Sequence, residues 1–213
     1  FPSKIGSIEF NFYDKFINLQ SNNLWSQIRS SYKSIVNKGF NYYKFEVYDH
    51  LNYNDEIGNL HAKMHHECSG KVTRPIKSFK MSYDWIKGKK ALMFVQKDKN
   101  VVVQMILVAI TKYTSIGISM ADNINYEIKI PLTHSLNYYI YMYLKKIGIK
   151  YHEVGDVTYK DINLLDDINK KENDIRNFKR GFGSEFYPNK KYIFFKDNKV
   201  KNKIVKILNK ELS

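Results

Sequence analysis

The sequence predicts an α/β (α+β) sandwich, a mixed and largely antiparallel sheet with helices on both faces. Three observations carry that reading. The order of elements over 213 residues is strand, two helices, three strands, helix, strand, loop, strand, helix. The three consecutive strands, Ala91 to Gln96, Val101 to Ile110 and Thr114 to Ala121, are joined by short polar turns such as Lys97-Asp98-Lys99-Asn100, so they form an antiparallel meander. A helix follows at once, with Leu136, Tyr139, Ile140, Tyr143, Leu144 and Ile147 at helical spacing and Gly148 at its end. A crossover helix after a meander returns the chain to the sheet in parallel, which makes the sheet mixed.

Each element has its own local warrant. Asn23 to Asn37 places Leu24, Ile28, Tyr32 and Ile35 or Val36 on one helical face, with Gly39 as a stop. Residues 1–39 read as an N-terminal extension, a linker or remnant of a preceding domain, and residues 40–213 as one unit. The opening Phe1-Pro2 suggests a piece of a longer protein. Tyr42 to Tyr48 is a strand by alternation. Asn54 or Asp55 can cap a helix carrying Ile57, Leu60, Met64 and Cys68 on one side and ending at Gly70. Pro75 opens a second helix through Phe79, Tyr83 and Ile86, closed by Gly88. Later come a strand from Ile149 to Gly155, a short helical turn from Asp174 to Lys179, and a strand from Tyr192 to Lys196. Last is a basic amphipathic helix from Lys199 to Leu212.

Composition narrows the function classes. With 43% hydrophobic and 15% aromatic residues the chain can build a core, and disorder is excluded. The longest apolar run, Val101 to Ile110, contains Gln104 and is too short to span a bilayer as a helix. The single Cys68 cannot form an intramolecular disulfide and fits a reducing cytoplasm; on the apolar stripe of its helix it reads as a buried small hydrophobe. The net charge of +14 invites tRNA, an anionic membrane surface or a protein partner, and the Lys199 to Leu212 helix suits such a binding module. Abundant Lys, Asn, Ile, Tyr and Phe also fit an AT-rich coding bias, which inflates lysine without making a site. Arginine is therefore the more telling cation, and only Arg29, Arg74, Arg176 and Arg180 occur.

Two of those arginines bracket the densest motif, Arg176-Asn177-Phe178-Lys179-Arg180-Gly181-Phe182-Gly183-Ser184. Lys179 and Arg180 suit phosphate or carboxylate oxygens, while Gly181 and Gly183 let a loop approach a ligand closely. A second segment, Ser69 to Arg74, leads into Pro75, and Lys71, Thr73 and Arg74 beside a helix start could hold an anion. A carboxylate at a strand's end can take a proton from an incoming amine if desolvation raises its pKa; Glu153 is favoured for this narrowly over Asp122. His61, His65, His66 and Glu67 lack the His-Glu-x-x-His order, so no metal is expected. No nucleophile-elbow, Walker or kinase signature occurs.

Several phrases, in order, resemble Fem-type transferases and their GNAT-fold relatives. They are Leu24-Trp25 through Arg29 to Asn37, Leu60-His61 through Ser69 to Arg74, Tyr143 to Gly155, and Ile175 to Gly183 with its Phe-Lys-Arg-Gly-Phe-Gly core. The resemblance implies the C-terminal GNAT-like domain of a tandem pair, its N-terminal partner domain lying outside this chain. It implies transfer of an acyl or aminoacyl group, from acyl-CoA or aminoacyl-tRNA, to an amine on a nucleotide- or lipid-linked sugar or peptide precursor of the cell envelope. The setting would be the cytoplasm or the inner face of the membrane. By the same resemblance Phe178-Lys179 matches the family's Phe-Lys pair, its lysine near the reacting carbonyl or the substrate phosphates. Gly183-Ser184-Glu185 departs from the family's Gly-Gly-Glu. Asn123 to Thr133 has no glycine where acetyl-CoA-dependent members carry a glycine-rich cradle, which leans toward an aminoacyl-tRNA donor or a donor site elsewhere.

Overall fold

A computed structural model describes residues 7–154, 170–194, 199, 200, 202, 203 and 206. In chain order the elements are β1 (Ser7–Asn18), α1 (Leu24–Gln27), α2 (Ser30–Tyr42), β2 (Lys44–Tyr48), α3 (Asp55–Ser69), α4 (Ile76–Lys87), β3 (Ala91–Asp98), β4 (Val101–Ile110), β5 (Thr114–Asp122), α5 (Leu132–Lys146), β6 (Tyr151–Glu153), α6 (Lys170–Arg180) and β7 (Glu185–Phe194). The strands form one seven-stranded sheet in the order β2-β3-β4-β5-β6-β1-β7. Every neighbouring pair is antiparallel except β5 with β6, which is parallel and joined only at Thr114–Ser115–Ile116 against Tyr151–His152–Glu153. The sheet is mixed and largely antiparallel with helices on both faces, as the order of elements implies.

Alternation along β3 and β4 sends side chains to two separate cores. Leu92, Phe94, Ile106 and Val108 meet Leu136, Ile140, Tyr141 and Leu144 of α5 and Tyr32 of α2 on one face. Ala91, Met93, Val95, Met105 and Leu107 meet Ala62 and Met64 of α3 and Phe79, Tyr83 and Ile86 of α4 on the other. Two buried glutamines tie the first turn of α5 to the sheet. Gln96 Nε2 donates to Ser135 Oγ at 3.3 Å, and Gln104 Nε2 donates to Thr133 Oγ1 at 2.9 Å and to Asp122 Oδ1 at 2.6 Å.

Several sequence expectations are corrected. The helix expected over Asn23 to Asn37 is two helices, broken where Arg29 turns extended (φ −49°, ψ 136°) and its N–H donates to Gly181 O at 2.8 Å. Gly39 does not stop α2, which runs on to Tyr42; a Cβ there would sit 2.4 Å from Ser135 Cβ, so the glycine is the seat of α5 on α2. Cys68 is exposed, because the buried face of α3 is Gly58, His61, Ala62 and Met64. The strand β7 begins at Glu185 rather than Tyr192 and holds Pro188, tolerable because β7 is a sheet edge. Residues 7–18, given no element from the sequence, form β1 and lie between β6 and β7. The Lys199 to Leu212 helix lies mostly outside the described residues; within them Lys199, Lys203 and Lys206 are exposed.

Two histidines are locked inside. His61 is fully buried, and its Nδ1 lies 2.8 Å from Tyr83 Oη; burial, and then the nearby His65 and Arg74, push its pKa down to about 3. His152 is 7% exposed with Nδ1 2.9 Å from Ser115 Oγ, and burial lowers it to about 4.

Both features set stability. Gly39→Ala overpacks the α2–α5 crossing, so unfolding free energy should fall by about 1–3 kcal/mol in urea titration, while the exposed substitution Lys38→Ala should leave it nearly unchanged. The histidines give a pH signature. Their folded pKa values lie below the unfolded value near 6.5, so the unfolded chain binds the extra protons and stability falls as pH drops below about 6.5. Between pH 7 and pH 5 the loss should be roughly 1–2 kcal/mol for each ring, and a flat profile would show both rings able to charge in the fold.

Candidate functional site

A cavity of about 550 Å³ opens where β5 and β6 part. The parallel ladder ends at Ile116 and Glu153. Beyond it β5 stays on β4, with Ile118 extra between Gly117 opposite Val108 and Ser119 opposite Leu107. That bulge bends β5 locally, as bulges do. After Glu153 the Val154 N–H turns to Lys15 O of β1 at 3.1 Å, so β6 leans toward β1. Two strands held by other neighbours leave a gap between them, and α5 and α6 roof it.

The first turn of α5 supplies Leu132, Thr133 and His134, and one turn further on Asn137. Pro131 precedes this helix, and no side chain caps it. The His134 ring stands edge-on to Tyr32 at 4.5 Å and to Phe178 at 4.9 Å, and burial lowers its pKa, so the ring is neutral at pH 7. Tyr141, His152 and Phe182 extend the wall from the core side.

The motif singled out from the sequence ends α6 and divides. Phe178 and Lys179 line the cavity. Phe182 is 2% exposed and wedges between Tyr32 and Tyr141 at 5.3 and 5.6 Å, so it is core and cavity wall together. Arg180 is exposed and not part of the lining. The glycines answer to packing: a Cβ on Gly181 would lie 2.1 Å from the Tyr32 ring, and Gly183 (φ +78°) would meet Gln27 Cβ at 2.6 Å. Tyr32 Oη also donates to Phe178 O at 3.3 Å. Helices α1 and α2 thus clamp the end of α6 and aim Lys179.

Of the two carboxylates expected from the sequence, Glu153 lines the cavity. Asp122 does not; it accepts from the buried Gln104. Lys71, Thr73 and Arg74 lie apart, in the α3–α4 connection. There Arg74 rests over the Phe79 ring at 4.0 Å, Thr73 Oγ1 is 3.4 Å from His65 Nδ1, and Lys71 is exposed. The fold therefore brings together Glu153, Phe178, Lys179 and Phe182, and does not bring the Ser69 to Arg74 segment to them. Reading the sequence missed Thr133, His134, Asn137 and His152. A histidine just after Pro131 at a helix start, and one in a strand ending beside Glu153, were the available signals.

Among the described residues no three His, Cys, Asp or Glu side chains are grouped to hold a metal ion, and no helix is long and apolar enough to cross a membrane. The loop into α5 passes from Asn123 to Pro131 without a glycine, and no side chain caps the first turn of α5.

No family model matches the chain, and no curated protein matches it by sequence. Solved structures do match it in shape. The C-terminal domain (DUF2156) assigned to a lysylphosphatidylglycerol synthetase from Agrobacterium fabrum superposes with a TM-score of 0.67 at 13% identity, covering 91% of this chain and 63% of that one. FemX gives 0.66 at 12% identity, with 82% and 59% covered. The L-PGS of Bacillus licheniformis gives 0.66 at 14% identity, with 90% and 62% covered. The chain spans about three-fifths of the length of these structures. What it shares with them is the fold, a GNAT-like one built on a largely antiparallel sheet.

Proposed function

We propose that this chain is the cavity-bearing domain of an acyltransferase that forms an amide on an amino group. The observation that carries the reading is the cavity itself, where β5 and β6 part and Glu153 and Lys179 share one volume of about 550 Å³. Such a volume holds an acyl or aminoacyl group together with the reacting amine. In Glu153 it has an anion to draw in an ammonium, and in Lys179 a cation to meet the oxyanion that develops at the carbonyl. The donor is acyl-CoA or an aminoacyl-tRNA. The acceptor is a nucleotide- or lipid-linked sugar or peptide precursor of the cell envelope, met in the cytoplasm or at the inner face of the membrane. Likeness of fold to FemX and to a domain named for lysylphosphatidylglycerol supports this choice of class. A preceding GNAT-like domain would supply the rest of the substrate path.

The reaction needs no covalent enzyme intermediate. The amine nitrogen attacks the activated carbonyl carbon, the C=O pair moves to oxygen beside Lys179, and collapse expels the thiolate or ribose hydroxyl of the donor. Phe178 and Phe182 exclude water around the adduct, which strengthens the Lys179 contact.

Mass spectrometry of products decides the class, using the full-length protein with acetyl-CoA or charged tRNA and nucleotide-activated amino sugars. An acylated amine is expected, and no transfer under any pairing would sink the reading. A charge-assisted contact is worth about 1.5–3 kcal/mol, so Lys179→Ala should lower binding or rate at least tenfold with little change in melting temperature. Arg180→Ala, outside the cavity, should keep most of both. Loss of melting temperature without loss of rate in Lys179→Ala would show a structural lysine instead.

A further inference from the structure

The buried pair Ser115–His152 has no part in the reaction as drawn, yet its histidine belongs to the core-side wall of the cavity. Ser115 and His152 face each other across the short parallel ladder, one step before β5 and β6 separate. Both are nearly sealed, at 3% and 7% exposure, and Ser115 Oγ lies 2.9 Å from His152 Nδ1. Ser115 Oγ is also 3.5 Å from Tyr151 O, a carbonyl toward which its hydroxyl hydrogen can turn. With the hydroxyl oxygen accepting from Nδ1–H, the free lone pair of the ring lies on Nε2. His152 is a wall residue of the cavity.

We propose that His152 is the proton acceptor of the transfer, its tautomer and ring orientation held by Ser115. The inference rests on the acyl-transfer reading above and deepens it. Strand geometry favours His152 over its neighbour. Successive residues on β6 point to opposite faces of the sheet. His152 shares a face with α5, its ring tilted against Tyr141 at 5.2 Å, and this is the face on which Phe178 and Phe182 pack. Glu153, the next residue, reaches the cavity only through the opening between the strands. Its carboxylate is placed to receive an ammonium arriving from the far side and to pass its first proton to solvent, and His152 to take the second proton once the nitrogen has bonded to the carbonyl carbon.

The step balances without a further reactant. The amine nitrogen forms the C–N bond and becomes cationic; Nε2 takes its proton; the carbonyl re-forms as the C–S or C–O bond to the donor breaks; and the imidazolium returns the proton to the departing thiolate or ribose oxygen. Burial disfavours a charged ring here, so His152 holds the proton only in passing and is ready as a base throughout the neutral range. The charged and titratable groups around it are Tyr141 and His134 on α5, Glu153 beside it, Lys179 on α6, and Lys15 of β1. Lys15 is 1% exposed, two residues from the Ile17 that pairs with His152.

Two measurements on the same protein test this. Histidine ¹⁵N spectra, with His152→Asn to assign the resonance, should show a neutral ring at pH 6–8 protonated on Nδ1, and Ser115→Ala should redistribute the tautomers. A ring protonated on Nε2 would overturn the proposal before any assay. In the transfer assay, His152→Asn keeps an amide for Ser115 and removes the base. It should lower kcat by about 10²–10⁴ with KM nearly unchanged, and Ser115→Ala should lower kcat less. Transfer at full rate by a folded His152→Asn protein, or an unaltered rate in Ser115→Ala together with an unaltered tautomer, overturns the role of His152 and leaves the acyl-transfer reading standing. Absence of transfer by the unaltered protein overturns that reading, and the role of His152 falls with it.

Discussion

A three-residue parallel ladder between β5 and β6 is the constraint on which the rest of the molecule turns. Backbone N–H and C=O groups inside a protein must find partners, so a sheet does not open at its middle without provision for both lips. Here the provision is visible. On one lip β5 remains bonded to β4 through a bulge; on the other, β6 is backed by β1, and the chain beyond it by Lys15 O. Pairing on its outer side holds each lip in place, while the backbone groups that point inward face the gap, which can serve as a cavity. The same logic explains why so much polar matter gathers there. Gln104, Thr133, Asp122, Ser115 and His152 bond to one another or to backbone around the opening, fixing the start of α5 and the end of β6.

The second constraint is the clamp on α6. Its C-terminal turn hangs from α1 and α2 through the Arg29 N–H to Gly181 O, the Tyr32 hydroxyl to Phe178 O, and the two close approaches that require Gly181 and Gly183. The position of Lys179 is thus set by residues about 150 positions earlier in the chain. Arg29 spans to the backbone at the end of α6, reaching Asn177 O at 3.5 Å, and Arg74 covers Phe79. These two guanidinium groups, at least, are committed to holding parts of the fold together.

Much of the architecture could be read from the residues. Asn54 and Gly70 bound α3, Pro75 opens α4, and the meander from Ala91 to Asp122 stands where its apolar alternation placed it. What escaped had physical reasons. The pattern Ile8-Glu9-Phe10-Asn11-Phe12 alternates as a strand should, but its partners are remote in sequence, and a strand with no local partner gives no hairpin signal. Pro188 disguised β7, since proline argues against a strand unless the strand is an edge. Gly39 looked like a helix stop because a glycine required by a tertiary crossing is identical, in sequence, to one required by a left-handed cap. The site was legible in part for a related reason. Lys179 and Glu153 stood out by type and position, whereas His134 and His152 became conspicuous only once distant elements surrounded them.

The place of β1 has a consequence for how the chain is made. Its partners begin at residue 151 on one side and 185 on the other, so Phe16 pairs with both Glu153 and Glu185. During synthesis the first strand emerges from the ribosome long before anything exists to flank it. The four strands from Lys44 to Asp122 can pair among themselves meanwhile, since each neighbour is close in sequence or separated only by two helices. An alternating apolar segment with two unpaired edges must wait until β6 and β7 have been made, a condition that invites capture by another nascent copy or shelter by a chaperone. Closure of the sheet is then a late, long-range event. The cavity, whose far lip is braced by that very strand, comes into being only when β6 and α6 have been delivered.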